Sequence, residues 1–106
     1  MKIIDAHHHL WNLSEVNYPW LMEKGATRFF GDPSPIQRNY LLDEHISKLE
    51  PFKFNASVHV QVGAEDGWQE AKWIDQIATN SKNWKINLGM FGIKKFLFYC
   101  FLILLD

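Results

Sequence analysis

Asp5-Ala6-His7-His8-His9 is the segment of this 106-residue chain whose residue types and spacing could best do chemistry. Side chains alternate sides along an extended strand, so Asp5, His7 and His9 share one face and His8 takes the other. Residues two apart on a strand lie roughly 6.6 to 6.8 Å apart, which lets the rings of His7 and His9 converge on one ion. Zinc binds imidazole nitrogen at about 2.0 to 2.1 Å, so the two rings can fill neighbouring coordination positions. The same triplet also fits a solvated polar strand end, because two ligands alone make neither a structural nor a three-ligand catalytic site. Asp5, one pleat below His7, reads either as a partner orienting that ring or as a buried structural carboxylate.

Two further polar residues belong to a second alternating segment, Ala56 to Val62. Val58, Val60 and Val62 take one side, and Ser57, His59 and Gln61 the other, as a strand requires. Gln61, nearer the carboxyl end, and His59 are candidates for hydrogen-bonding a substrate, or they satisfy one another inside a core. Trp11, just past the histidines, either walls a substrate pocket or packs the following loop.

The elements that must position these residues follow from pattern. Lys2 to His9 reads as a short buried strand with Ile3 and Ile4 supplying β-branched bulk. Leu10 to Tyr40 is loop-like, interrupted by Pro19, Gly25, Gly31, Pro33 and Pro35, and ordered connectors of that length usually serve function. Leu42, Ile46 and Leu49 recur at helical spacing, and Pro51 predicts an end near Glu50. Asp66 with Gln69 forms a capping-box pattern ahead of a second helix whose stripe is Ala71, Ile74, Ile77 and Ala78. Trp68, Trp73, Phe29, Phe30, Phe52 and Phe54 are expected to pack core and interface surface. The order β, α, β, α predicts an α/β fold with a parallel sheet covered by helices.

Beyond Asn83 the character changes, and the chain divides into residues 1–83 and a divergent hydrophobic tail, 84–106. The tail ends in an apolar run, Phe96 to Leu105, about half of what a membrane-spanning helix needs. Eleven basic and twelve acidic residues leave a net charge of -1 with no basic stripe, which argues against a nucleic-acid partner. The lone Cys100 and the absence of a signal-peptide pattern at MKIID predict a reducing, cytoplasmic setting.

Asp5-x-His7-x-His9 followed by Trp11 resembles the first-strand signature of the amidohydrolase superfamily, and most closely its amidohydrolase-related branch of fuconolactonase-like and dicarboxylate-lactone hydrolases. Tyr18-Pro19-Trp20-Leu21, Arg38-Asn39-Tyr40-Leu41, Val58-His59-Val60-Gln61 and Glu70-x-x-Trp73 extend the resemblance over roughly residues 1 to 80. It implies a (β/α)₈ TIM barrel with the site at the carboxyl ends of the strands and His7 and His9 as ligands of a divalent metal, zinc foremost. It also implies hydrolysis of a small-molecule substrate, a sugar lactone or another cyclic ester or amide. Some lactonases of this pattern work without a metal.

A barrel of this kind takes roughly 250 residues, so the expectation is an amino-terminal fragment: two βα units and part of a third. Such a fragment would be inactive by itself and prone to self-association through its uncovered sheet. Its tail reads like a frameshifted or prematurely ended continuation. The alternatives are a small metal-binding protein built on His7 and His9, and a small membrane-associated protein held by its tail.

Overall fold

Ile3 and Ile4 open the first strand, β1 (Ile3–His8), where β-branched side chains favour extended backbone. The computed structural model describes residues 3–82 and 84–88. β1 pairs in parallel with β2 (Phe54–His59), and β2 with β3 (Lys85–Leu88), in a three-stranded sheet of order β1-β2-β3. The chain passes from β1 to β2 through a one-turn helix α1 (Pro19–Met22) and the longer α2 (Leu42–Leu49), and from β2 to β3 through α3 (Gly67–Asn80). The fold is thus mixed α/β, with helices between parallel strands as the pattern predicts.

The helix ends follow their local chemistry. Asp43 and Glu44 in the first turn of α2 and Lys48 in its last complement the helix dipole. Pro51 lies in the 3₁₀ turn Glu50–Phe52 that follows, and Lys53 (φ 57°) turns the chain into β2. Asp66 caps α3 by accepting from the Trp68 amide at 2.9 Å. The predicted stripe of α3 is seated inward, with Ala71 and Ile74 fully buried, and Glu70 and Trp73 join it.

Several boundaries differ from the expectation. β2 begins two residues before Ala56 and ends at His59 rather than Val62, because the Val62 amide is taken by the Glu70 carboxylate and Gly63 (φ 77°) turns the chain. The sheet also runs past Asn83: Lys85–Leu88 is its third strand, and Trp84 and Ile86 belong to the core. The remainder of the tail, including Phe96 to Leu105, lies outside the described residues. Among the described residues no helix is long and apolar enough to cross a membrane.

The connector after β1 is part of the core rather than a surface strap. Leu10, Val16, Tyr18 and Leu21 pack with Trp73, Ile74, Trp84 and Ile86 between the connector, α3 and the sheet. Phe29 and Phe30, expected to pack, are exposed and meet each other edge to face with ring centroids 5.1 Å apart. Phe52 is exposed too. Ile74 has no exposed surface and sits in this cluster, so Ile74→Ala is expected to destabilise the fold by about 2 to 5 kcal/mol. A denaturant midpoint unchanged by the substitution would contradict that packing.

Candidate active site

The pairing of β1 with β2 sorts the histidines. Asp5 pairs with Ser57 and His8 with His59, so Ala6 and His7 together stand opposite the single residue Val58. This two-against-one bulge breaks the alternation. Asp5 and His8 therefore share the helix-covered face, whereas Ala6, His7 and His9 are exposed on the other. The expectation that Asp5 shares a face with His7 and His9 is corrected by this one extra residue.

On the open face, the Nε2 atoms of His7 and His9 lie 3.1 Å apart and their rings meet edge to face at 4.9 Å. His9 Nδ1 is 2.9 Å from the Val60 carbonyl oxygen. A carbonyl only accepts, so His9 carries its proton on Nδ1 and presents the bare lone pair of Nε2 towards His7. Fixing the tautomer through the far nitrogen is the usual support of a metal-ligating histidine. Two nitrogens 3.1 Å apart, each about 2.0 to 2.1 Å from a shared zinc ion, would subtend roughly 95 to 100° at it. That lies between the right angle and the tetrahedral one, so the donor pair fits a divalent ion. Among the described residues no group of three or more His, Cys, Asp or Glu side chains is placed to hold one.

On the covered face, His45 of α2 gathers Asp5 and His8. Its Nε2 lies 3.1 Å from Asp5 Oδ2 and its Nδ1 lies 3.2 Å from the Tyr40 hydroxyl, an arrangement satisfied by a proton on Nε2. Asp5 reaches His7 only through the backbone, its Oδ1 accepting from the His7 amide at 3.2 Å. The His8 ring stacks on His45 at 4.6 Å, 4% exposed, with neither nitrogen hydrogen-bonded. Burial first, and then the neighbouring His59 and His45, push its pKa down to about 3.

His59 is turned to the same covered side, away from any ligand on the open face. Its Nδ1 accepts from the Leu10 amide at 3.3 Å, and its Nε2 lies 3.4 Å from Glu70 Oε1. Burial lowers its pKa, and Glu70 opposes the shift. The same Glu70 oxygen accepts from the Val62 amide at 2.9 Å and from the Tyr18 hydroxyl at 3.4 Å, and none of the three side chains is exposed. Burial and then Glu70 push the Tyr18 pKa upward.

A cavity of about 320 Å³ opens at the carboxyl ends of β1 and β2, lined by His9, Trp11, Trp20, Ile36, Gln61 and Val62 among others. Trp11 is held there by its indole N–H, which donates to the Arg38 carbonyl, and by Tyr40, 5.2 Å away. Trp20 donates to the Val62 carbonyl at 2.7 Å, and a side chain on Gly63 would come within 3.2 Å of that indole nitrogen. Gln61 accepts from the Gly63 amide with its Oε1, so its amide N–H groups are what it offers the cavity. Of the predicted site residues, His9, Trp11 and Gln61 meet here with His7 alongside, while Asp5 and His59 do not.

Two residues of the covered network had no role assigned from pattern alone, His45 and Glu70. Both carry a readable signal: each interrupts an apolar helical stripe, His45 among Leu42, Ile46 and Leu49, and Glu70 four residues before Ile74.

No family model matches the chain. The first 33%-identical relative is an uncharacterized protein, y4mH, of Sinorhizobium fredii, aligned over 80 residues that make up 74% of this chain and 27% of the relative. Among solved structures, amidohydrolase 2 from Bifidobacterium longum subsp. infantis superposes with a TM-score of 0.62 at 23% identity, over 84% of this chain and 32% of that one. The fold is amidohydrolase-like. The chain spans 27% of the length of the curated relative it matches and 32% of that solved structure.

Proposed function

We propose that this chain supplies the first ligand pair and one wall of the substrate cavity of a metal-dependent amidohydrolase-type hydrolase, which opens a lactone or another cyclic ester or amide. The observation that carries this reading is the His7 and His9 pair, 3.1 Å apart, with His9 locked as an Nδ1–H tautomer by Val60. A divalent ion, zinc by the character of the donors, supplies a polarised carbonyl and a bound water of lowered pKa when present. His7 and His9 would hold it at the carboxyl end of β1, the end where barrel enzymes of this architecture do their chemistry. Gln61 would donate to a substrate oxygen, and Trp11 and Trp20 would keep water from the bound ring. His59 acts at one remove, fixing Leu10 and so the exit of the chain from β1.

Calorimetric zinc titration of the metal-stripped chain tests the assignment. Removing either ring, as His7→Ala or His9→Ala, is expected to weaken binding by more than the roughly 10- to 100-fold that losing a supporting partner costs. Equal uptake by the variants and the parent chain would sink it. A catalytic zinc takes three protein ligands, and only two donors converge among the described residues. We therefore expect the 106-residue chain alone to give no saturable lactone hydrolysis, and saturable turnover dependent on His7 would refute this.

A further inference from the structure

The carboxylate of Asp5 is shared between α2 and the backbone of β1. Its Oδ2 lies 3.1 Å from His45 Nε2, and its Oδ1 accepts from the His7 amide at 3.2 Å. Resting on the reading of His7 and His9 as metal ligands, we infer that His45 is a positioning residue for that pair. Through Asp5 it fixes the His7 backbone, and so the direction in which the His7 ring leaves the strand.

His45 is itself held from several sides. Its Nδ1 lies 3.2 Å from the Tyr40 hydroxyl, and its ring stacks on that of His8 at 4.6 Å. Tyr40 in turn exchanges backbone hydrogen bonds of 3.0 and 3.1 Å with Trp11. With the Tyr40 hydroxyl donating to Nδ1, the proton of His45 sits on Nε2 and faces the carboxylate. A carboxylate gripped at one oxygen by a fixed N–H loses its rotamer freedom, and its other oxygen is kept on the His7 amide. That amide lies in the bulge opposite Val58, where the ladder is disrupted and a backbone donor needs another acceptor. The same bulge lets Asp5 reach α2 while His7, two residues on, faces the open side of the sheet. Tyr40, His45 and Asp5 all meet on the helix-covered side, so the clamp is complete whatever lies over the open face.

Amide hydrogen exchange and zinc calorimetry on the full chain test the inference together. His45→Phe keeps a ring against His8 but donates nothing, and Asp5→Ala removes the carboxylate. Without metal, both should speed exchange of the His7 amide relative to the Ile74 amide of α3, whereas a general loss of stability would speed both amides. Each is also expected to weaken zinc binding about tenfold or more, the lower end of what losing a supporting partner costs. The double variant should be no worse than Asp5→Ala, because His45 acts through that carboxylate. His45→Gln, whose side-chain amide can donate in place of the Nε2 proton, should restore most of the binding. Asp5→Ala, at a side chain 20% exposed, keeps the test decisive should His45→Phe fail to fold. An unchanged ratio of His7 to Ile74 exchange would overturn the inference, as would His45→Gln weakening zinc as much as His45→Phe does. Equal zinc uptake by the parent chain and His7→Ala would overturn the ligand reading and this role with it. That failure is told apart from failure of the clamp by the His7 amide, which responds with no metal present.

Discussion

Acidification from pH 7 towards pH 4 is expected to unfold this domain, with His8 as the main cause. In the folded chain its pKa is pushed down to about 3, against 6.5 for an ordinary histidine. Between those values the unfolded chain binds a proton that the folded chain refuses, so stability falls as pH falls. The contribution is fully present above pH 6.5 and drains away at up to about 1.4 kcal/mol per pH unit below it. His59, whose pKa is also lowered, steepens the loss in the same direction. Glu44 acts in a separate window: Arg38 holds its carboxyl down to about 2, so that ion pair is lost only as pH drops below the ordinary carboxylate range. Urea midpoints followed by circular dichroism between pH 7.5 and 4 would measure the slope. In His8→Phe, which keeps a flat ring against His45, most of it should vanish. A variant as acid-sensitive as the parent chain would show that His8 is not the group responsible.

Glu70→Leu is expected to destabilise the fold by at least about 1 to 3 kcal/mol, the range for leaving a buried neutral donor without its acceptor. The Val62 amide, the Tyr18 hydroxyl and the His59 ring all direct a donor at one Glu70 oxygen, and a leucine of similar size leaves those donors buried without it. Glu70→Gln keeps an acceptor at that place and should lose far less. The comparison is made by urea titration at pH 7.5, where a shift in midpoint at constant slope reports stability. A leucine variant within about 0.5 kcal/mol of the parent chain, the scatter of ordinary surface changes, would mean that the cluster contributes little.

Much of the architecture is legible in the chain because helices and strands here obey simple periodicity. α3 is announced by Asp66 and by apolar residues at helical spacing, and it begins where its cap predicts. The convergence of two imidazoles follows from their spacing on a strand. What pattern could not supply was pairing. Whether a strand alternates strictly depends on the register its neighbour imposes, and the bulge opposite Val58 leaves no mark in the residues of β1. β3 was hidden for another reason. Four residues, Lys85–Leu88, are too few to show a period, and they stand where the composition turns abruptly towards Phe, Leu and Lys. The reversed side of His59 has the same origin as the burial of Glu70: a polar stripe predicts a wet face only until a partner on a helix makes it dry.

The bulge also bears on which changes of length this strand can absorb. Deleting Ala6 would leave one residue opposite Val58 and restore strict alternation, with His7 and His9 still outward and His8 and Leu10 still inward. Deleting His8 instead would also relieve the bulge, but it would draw His7 into the buried place of His8 and leave His9 without its outward neighbour. Within two positions, the same shortening passes from sparing the imidazole pair to breaking it.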